Sequence, residues 1–273
     1  MKVATIRTAA GTQAAVMEEA QAVPLGFSDV GAWLAAGAPH PRQHVAGEAL
    51  PLDGLDWAPL VPRPGKVICV GLNYRDHILE MGRDLPEYPT LFAKFADSLV
   101  GARDTVTLPS GSSKVDWEAE LALVIGRRTS RADRTDAAGA IAGFTVANDV
   151  SAGDFQRRTT QWLQGKTFDD STPLGPWLVT TDETGPNPDL ELSCTVNGDV
   201  KQQASTGDLV FTPVDLVSYI SGITTLHPGD VILTGTPGGV GDGRDPKEYL
   251  GAGDILQTRI EGLGAAINTC VER

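Results

Sequence analysis

The chain has 273 residues, 41% of them hydrophobic and 21% charged, and carries a formal net charge of −13. This is the make-up of a globular protein, and its acidity argues against a nucleic-acid partner, since it repels a phosphate backbone. Three isolated cysteines, Cys69, Cys194 and Cys270, have no CxxC spacing; they exclude a disulfide scaffold and a zinc ribbon and fit a reducing cytoplasm.

Along the chain, "KVATIR" and "GTQAAVM" predict a short hairpin, preceded by no apolar signal-peptide core. No window holds 18 consecutive apolar residues, so no membrane-spanning helix is expected. "FSDVGAWLAAG" reads as a helix capped by Ser28 or Asp29. A Pro/Gly-rich stretch from Ala38 to Lys66 then reads as a surface linker. These features predict a small N-terminal α/β module over residues 1–63 and a larger domain over 64–273. In the larger part, strand-like runs bounded by turn residues dominate: "KVICVG", "LFAKF", "DTVTLP", "WEAELALVIG", "IAGFTVANDV", "PWLVT", "LELSCTVNG", "DVILTG" and "DILQTRIEG". Asn197-Gly198 marks a hairpin. Helices are predicted near 74–82, 132–140 and 213–221, the last with Thr212 as N-cap and Pro213 at its first position. The class is α+β with a mostly β core.

Within "KVDWEAELALVIG", Asp116, Glu118 and Glu120 alternate with Trp117, Ala119 and Leu121. A period of two places the three carboxylates on one strand face. A solvated face would give the same alternation. The apolar run that follows instead suggests a strand covered on both sides, where an isolated carboxylate is very costly. Asp149 closes a second apolar strand, "IAGFTVAND". Carboxylates converging from separate strands make a hard oxygen site suited to Mg²⁺ or Mn²⁺, or to Ca²⁺.

Three further segments carry chemistry. In "GLNYRDHILEMG", Asn73 is a candidate N-cap, and His77 and Glu80 lie three apart on one helical face. A carboxylate behind an imidazole makes a general base, though the spacing equally gives an exposed polar pair. Lys166 in "QGKTFDD" sits in a Gly-flanked turn and could stabilise charge on oxygen; a surface lysine is the plain alternative. "LTGTPGGVGDG" lacks the GK[ST] ending of a phosphate loop, but could offer Thr236 and backbone N–H groups to a carboxylate.

Six segments together, "VGLNYRDHILEMG", "PTLFAKF", "DWEAELALVIG", "GFTVANDVSAGDFQ", "QGKTFDDSTPLGPWLVT" and "LTGTPGGVG", resemble the fumarylacetoacetate hydrolase family in order and spacing over about residues 64–273. The resemblance implies a β-rich catalytic domain with a rolled mixed sheet, usually a homodimer, and a dication held by Glu118, Glu120 and Asp149. It implies His77 and Glu80 as a base dyad on a segment that can order as a lid, Lys166 as a catalytic cation, and Tyr74, Gln156 and Thr236 as substrate contacts. The implied activity is hydrolysis of a C–C bond in a β-diketo acid of the acylpyruvate type, through an enolate at the metal site. Oxaloacetate decarboxylation and isomerisation of a 2-hydroxy-diene-dioate are alternatives on the same site, and a non-catalytic metal-binding protein is the competing class. One departure stands out: where members often read "NDVSARD", this chain has Gly153 in the arginine's place. Arg157 or Arg158 would then have to compensate, or the substrate would lack the group that the arginine holds.

Overall fold

The computed structural model describes residues 1–80 and 82–273, apart from the side chain of Glu80. At the N-terminus, β1 (Lys2–Thr8) and β2 (Gly11–Glu18) form the expected hairpin, and β3 (Gln21–Pro24) and β4 (Leu50–Pro51) extend it. Between β3 and β4, α1 (Val30–Ala35) begins at Asp29, whose carboxylate accepts the Ala32 N–H at 2.8 Å. There follow β5 (Val67–Gly71), α2 (Arg75–Glu80), β6 (Thr90–Lys94), β7 (Leu99–Val100), β8 (Val106–Leu108), β9 (Val115–Asp116) and β10 (Ala119–Ile125). Next come α3 (Arg134–Ala138), β11 (Ile141–Asn148), β12 (Ser151–Ala152), α4 (Gly153–Gln156), α5 (Leu163–Lys166), β13 (Thr172–Thr180) and α6 (Thr181–Thr184). The chain closes with β14 (Glu191–Val196), β15 (Asp199–Ser205), α7 (Pro213–Ile223), β16 (Val231–Leu233), β17 (Ile255–Ile260) and β18 (Gly264–Glu272).

Most strands join one mixed, open sheet in the order β4-β3-β2-β1-β13-β11-β10-β16-β5-β6, with β7 beside β13. The N-terminal strands enter it through the antiparallel β1–β13 pairing. A five-stranded sheet, β15-β14-β17-β18-β8, packs on one face. The turn signals act as expected. Asn197 and Gly198 both take positive φ, 54° and 89°, as a two-residue hairpin turn of this hand requires. Thr212 and Asp215 form a reciprocal capping box on α7, with Pro213 in its first turn.

The centre of the large sheet positions the site. All seven residues of β10 are buried. Leu121, Leu123 and Ile125 face the core shared with β14, β17 and α7, while Ala122 and Val124 face the core containing Trp33, Leu34 and Leu60. Each of the buried Leu, Ile and Val side chains contributes on the order of 1.5–3 kcal/mol of transfer free energy. With both faces covered, the strand's register is fixed, because a one-residue slip would exchange the two faces.

Two local expectations are corrected. The acidic run is not one strand: β9 ends at Asp116 and β10 begins at Ala119, so Asp116 leaves the face carrying Glu118 and Glu120. Asn73 is not a helix cap. It is fully buried, donates to the carbonyls of Thr234 and Phe211, and accepts the Phe211 N–H at 2.8 Å. Its side chain ties the turn between β5 and α2 to the segments around residues 211 and 234.

Candidate metal centre and substrate cavity

The site forms where the start of β10 meets the end of β11. Ala119 pairs with Asn148 and Glu120 with Ala147. The Asp149 N–H donates to the Glu118 carbonyl at 2.8 Å, which sets Asp149 beside Glu118. One oxygen from each of Glu118, Glu120 and Asp149 lies within 4.8 Å of the others. Glu120 and Asp149 are buried, and Glu118 is partly so. The alternation read in the sequence therefore brings two acids together, and the end of the neighbouring strand adds the third.

Two lysines partly balance this charge. Lys166 Nζ lies 2.6 Å from Glu118 Oε2 and 2.8 Å from Asp149 Oδ2. It stands at the end of α5 rather than in an open turn, and it is buried. Lys94, at the end of β6, donates to Asp149 Oδ1 at 2.6 Å and to the Val150 carbonyl at 3.2 Å. Sequence reasoning missed Lys94. The usable signal is a lysine ending the apolar run "TLFAK", since a buried lysine needs an anionic partner. The Ser151 hydroxyl donates to Glu118 Oε1, and the Gly235 N–H to Glu120 Oε2 at 2.7 Å. Gly235 holds φ 104°, and a Cβ there would meet Asn73 Cβ at 2.9 Å, so this donor depends on glycine.

Three carboxylates thus face two ammonium groups. Burial pushes Glu118 above the ordinary glutamate range; Lys166 opposes the shift and Asp149 adds to it. Glu120 is pushed well above that range by burial and by its neighbours Asp149 and Glu118, with weaker opposition from Lys166. Burial alone would lower the Lys166 ammonium, but Asp149 and Glu118 together hold it above its ordinary value. These residues fit a divalent metal: every donor is a hard carboxylate oxygen, and the local excess of negative charge favours a cation.

A cavity of about 140 Å³ opens on this cluster. Glu118, Glu120, Lys166, His77, Gln156 and Thr236 give it polar groups, and Val70, Leu72, Phe92, Trp162 and Val240 give it an apolar wall. Trp162 packs edge-on to Phe92 at 5.3 Å. It also lies directly over Gly71, where a Cβ would meet the indole at 2.4 Å. Leu72 takes a left-handed backbone with φ 54°, a strain on the order of 1 kcal/mol that the anchored Asn73 turn holds in place.

His77, Lys166, Gln156 and Thr236 therefore meet at the cavity. Glu80, the proposed partner of His77, has a side chain outside the described residues. Tyr74 does not line this cavity. It is buried along an adjoining recess of about 480 Å³ that also touches His77, and its hydroxyl has no hydrogen-bond partner among the described residues. Gly153 does not line the cavity either, and neither arginine near it substitutes there. Arg157 forms a two-point pair with Asp242 at 2.8 and 3.1 Å, and Arg158 stacks on Phe155 at 3.4 Å. Asp116 serves the loop instead: its carboxylate accepts the N–H groups of Gly241 and Asp242 at 2.7 and 2.8 Å. Burial pushes it up to about 6 against those hydrogen bonds.

The model of the fumarylacetoacetate (FAA) hydrolase C-terminal domain matches residues 66–271. The chain belongs to the fumarylacetoacetate hydrolase family. The mitochondrial oxaloacetate tautomerase FAHD2A of Homo sapiens is 50% identical over 224 residues, which are 81% of this chain and 71% of the human protein. The fumarylacetoacetate hydrolase of psychrophilic Exiguobacterium antarcticum superposes with a TM-score of 0.91 at 31% identity, covering all of both chains. The 5-carboxymethyl-2-hydroxymuconate delta-isomerase of Mycobacterium smegmatis superposes with a TM-score of 0.83 at 34% identity, covering 100% of this chain and 99% of that one. The chain is an enzyme of this superfamily. No described helix is long and apolar enough to cross a membrane.

Proposed function

We propose that the chain is a metal-dependent enzyme acting on enolisable 2-oxo acids, and that its principal activity is keto–enol interconversion of an oxaloacetate-like substrate. The observation that carries this reading is the buried triad of Glu118, Glu120 and Asp149, bridged by Lys166 at the base of the cavity. The relative named an oxaloacetate tautomerase, identical at half of the aligned positions, supports the choice of reaction.

Glu118, Glu120 and Asp149 would hold the dication, which would supply Lewis-acid stabilisation to the oxygens of the oxo acid. Lys166 adds fixed positive charge on the cavity wall, where an enolate oxygen develops charge; preorganised groups of this kind contribute roughly 10²–10³ in rate. Its contacts with Glu118 and Asp149 hold it in place before substrate arrives. The interconversion moves one proton between C3 and the C2 oxygen, and it consumes no water. His77, on the cavity wall, is suited to carry that proton, because an imidazole exchanges protons near neutral pH. Phe92 and Trp162 narrow the apolar side and keep bulk water away from the reacting carbon.

A second reading, C–C hydrolysis of an acylpyruvate, is favoured by the position of His77 on that wall, since hydrolysis adds the activation of a water. The deciding assay follows the decay of enol-oxaloacetate by ultraviolet absorbance, with Mg²⁺ or Mn²⁺ and with EDTA, alongside acylpyruvate cleavage. Acceleration of the enol decay that EDTA abolishes is expected. Acylpyruvate cleavage without tautomerisation would move the assignment to the hydrolase. Turnover of neither, or turnover indifferent to EDTA, would overturn the metal-dependent reading.

A further inference from the structure

Gln202 lies on β15, in the second sheet, and is 1% exposed. Its side-chain oxygen accepts the Ala119 N–H at 2.9 Å. Its amide nitrogen donates to Thr236 Oγ1 at 2.7 Å and to the Pro237 carbonyl at 3.0 Å. One amide therefore joins the strand position between Glu118 and Glu120 to the loop residue on the cavity wall.

The polarity of this bridge is fixed by its outer partners. A backbone N–H only donates and a backbone carbonyl only accepts. The oxygen of Gln202 must face Ala119, and its NH₂ must face Pro237 and Thr236; the flipped amide would set like against like at both ends. Both amide protons are then engaged, and Thr236 Oγ1 is an acceptor in this bond. A hydroxyl has one proton to give, and no described acceptor takes it from Thr236. Thr236 lines the cavity with Glu118, Glu120 and Lys166. Its proton is therefore available to a ligand there, and accepting from an amide strengthens a hydroxyl as a donor.

We propose that Gln202 is a positioning residue that makes Thr236 an obligate hydrogen-bond donor toward a carboxylate or carbonyl oxygen of the substrate. This rests on the oxo-acid reading above. It adds a selection rule: the ligand must present an acceptor at Thr236, which a 2-oxo acid does and a group ending in N–H does not. It also couples two parts of the site, because the same amide satisfies the Ala119 N–H between two metal ligands.

The test uses oxalate as a stable oxo-acid mimic, titrated calorimetrically into Mn²⁺-saturated protein after the Mn²⁺ affinity of each variant has been measured. Thr236→Val is expected to weaken oxalate about tenfold to hundredfold, the scale of a hydrogen bond to a charged group. Gln202→Glu makes the Thr236 hydroxyl donate inward and turns a lone pair toward the ligand, so a loss of the same size is expected. Gln202→Met, which removes the bridge and keeps the volume, is expected to lose less. In the Thr236→Val background, either Gln202 substitution is expected to cost less than about twofold more, because both act through one hydroxyl. Equal losses in both backgrounds would assign Gln202 a merely structural role and overturn the proposal, as would tight oxalate binding by Thr236→Val. Should the Gln202 variants fail to fold, ¹⁵N-glutamine labelling decides. One buried side-chain amide should shift on Thr236→Val and again on oxalate binding, and no shift in either would overturn the proposal. Wild-type protein that holds Mn²⁺ but ignores oxalate would instead defeat the oxo-acid reading itself.

Discussion

Two acidic regions lie at opposite ends of the loop 235–242. At its far end, Asp242 accepts hydrogen bonds from Arg157, Lys247 and Tyr249 and stands at a rim open to water. Although partial burial works against it, these donors hold its carboxyl well below the usual range. At the near end, Glu120 is buried beside Glu118 and Asp149, receives one N–H from Gly235, and is pushed well above that range. The rim carboxylate is completed by its own chain. The buried ones are three acids set against two paired ammonium groups, those of Lys94 and Lys166. An acid that the protein compensates fully holds structure, whereas a group of acids left under-compensated invites a cation from outside.

This contrast can be broken most sharply at Glu120. Glu120→Gln is expected to reduce divalent-ion affinity by more than about 100-fold, since a lost ligand should exceed the 10–100-fold cost of altering a residue behind one. Asp242→Asn is expected to leave the affinity unchanged, and calorimetric titration of both variants with Mn²⁺ checks the pair. Next in size, Lys166→Met is expected to lower turnover by roughly 10²–10³ while the metal stoichiometry holds, as for removal of one charge-stabilising group. Steady-state rates at saturating metal would show it, and loss of bound metal in parallel would mark Lys166 as structural.

The pH dependence sharpens the same comparison. Glu118 and Glu120 have folded-state values raised above the ordinary 4.5. Their contribution to stability is therefore full below that value and is lost as pH rises through the raised ones. Asp116 behaves alike between 3.8 and about 6. Asp242, shifted downward, stays ionised throughout and contributes a constant amount there. Metal-free protein should thus lose thermal stability as pH rises from 4.5 past about 6, and Mg²⁺ at 100 times its dissociation constant should restore about 2.7 kcal/mol. Scanning calorimetry with EDTA and with Mg²⁺ tests this, and a metal-free protein that gains stability over that window would contradict it. The smallest effect belongs to the rim. Asp242→Asn should cost roughly 1 kcal/mol or less in chemical denaturation, the usual scale of exposed ion pairs.

Much of this was legible in the residues. Alternation placed Glu118 and Glu120 on one face, and the apolar run after them announced a strand covered on both sides; β10 is such a strand. Asp149 at the end of the next strand, the Asn197-Gly198 turn and the Thr212 cap depend on a few neighbouring residues and could be read locally. What could not be read depends on distant pairings. Asp116 looks like a third member of the acidic face, but its partners, Gly241 and Asp242, lie about 125 residues away. Lys94 is one residue in a strand until β6 comes to rest beside Asp149. Gln202 sits in a polar hairpin strand, and only the packing of the second sheet on the first brings it to Ala119 and Thr236. Asn73 has the look of a helix cap because the spacing suits one; burial draws its amide to backbone groups near residues 211 and 234 instead.

The central claim is that Glu118, Glu120 and Asp149 jointly hold one dication at the base of the cavity. Anomalous diffraction from crystals of the protein grown with Mn²⁺ tests it most directly. A single strong peak is expected, with one oxygen of each of the three carboxylates at about 2.0–2.3 Å, the range for hard cations on oxygen. A peak elsewhere, or none at the triad in crystals that contain Mn²⁺, would contradict it.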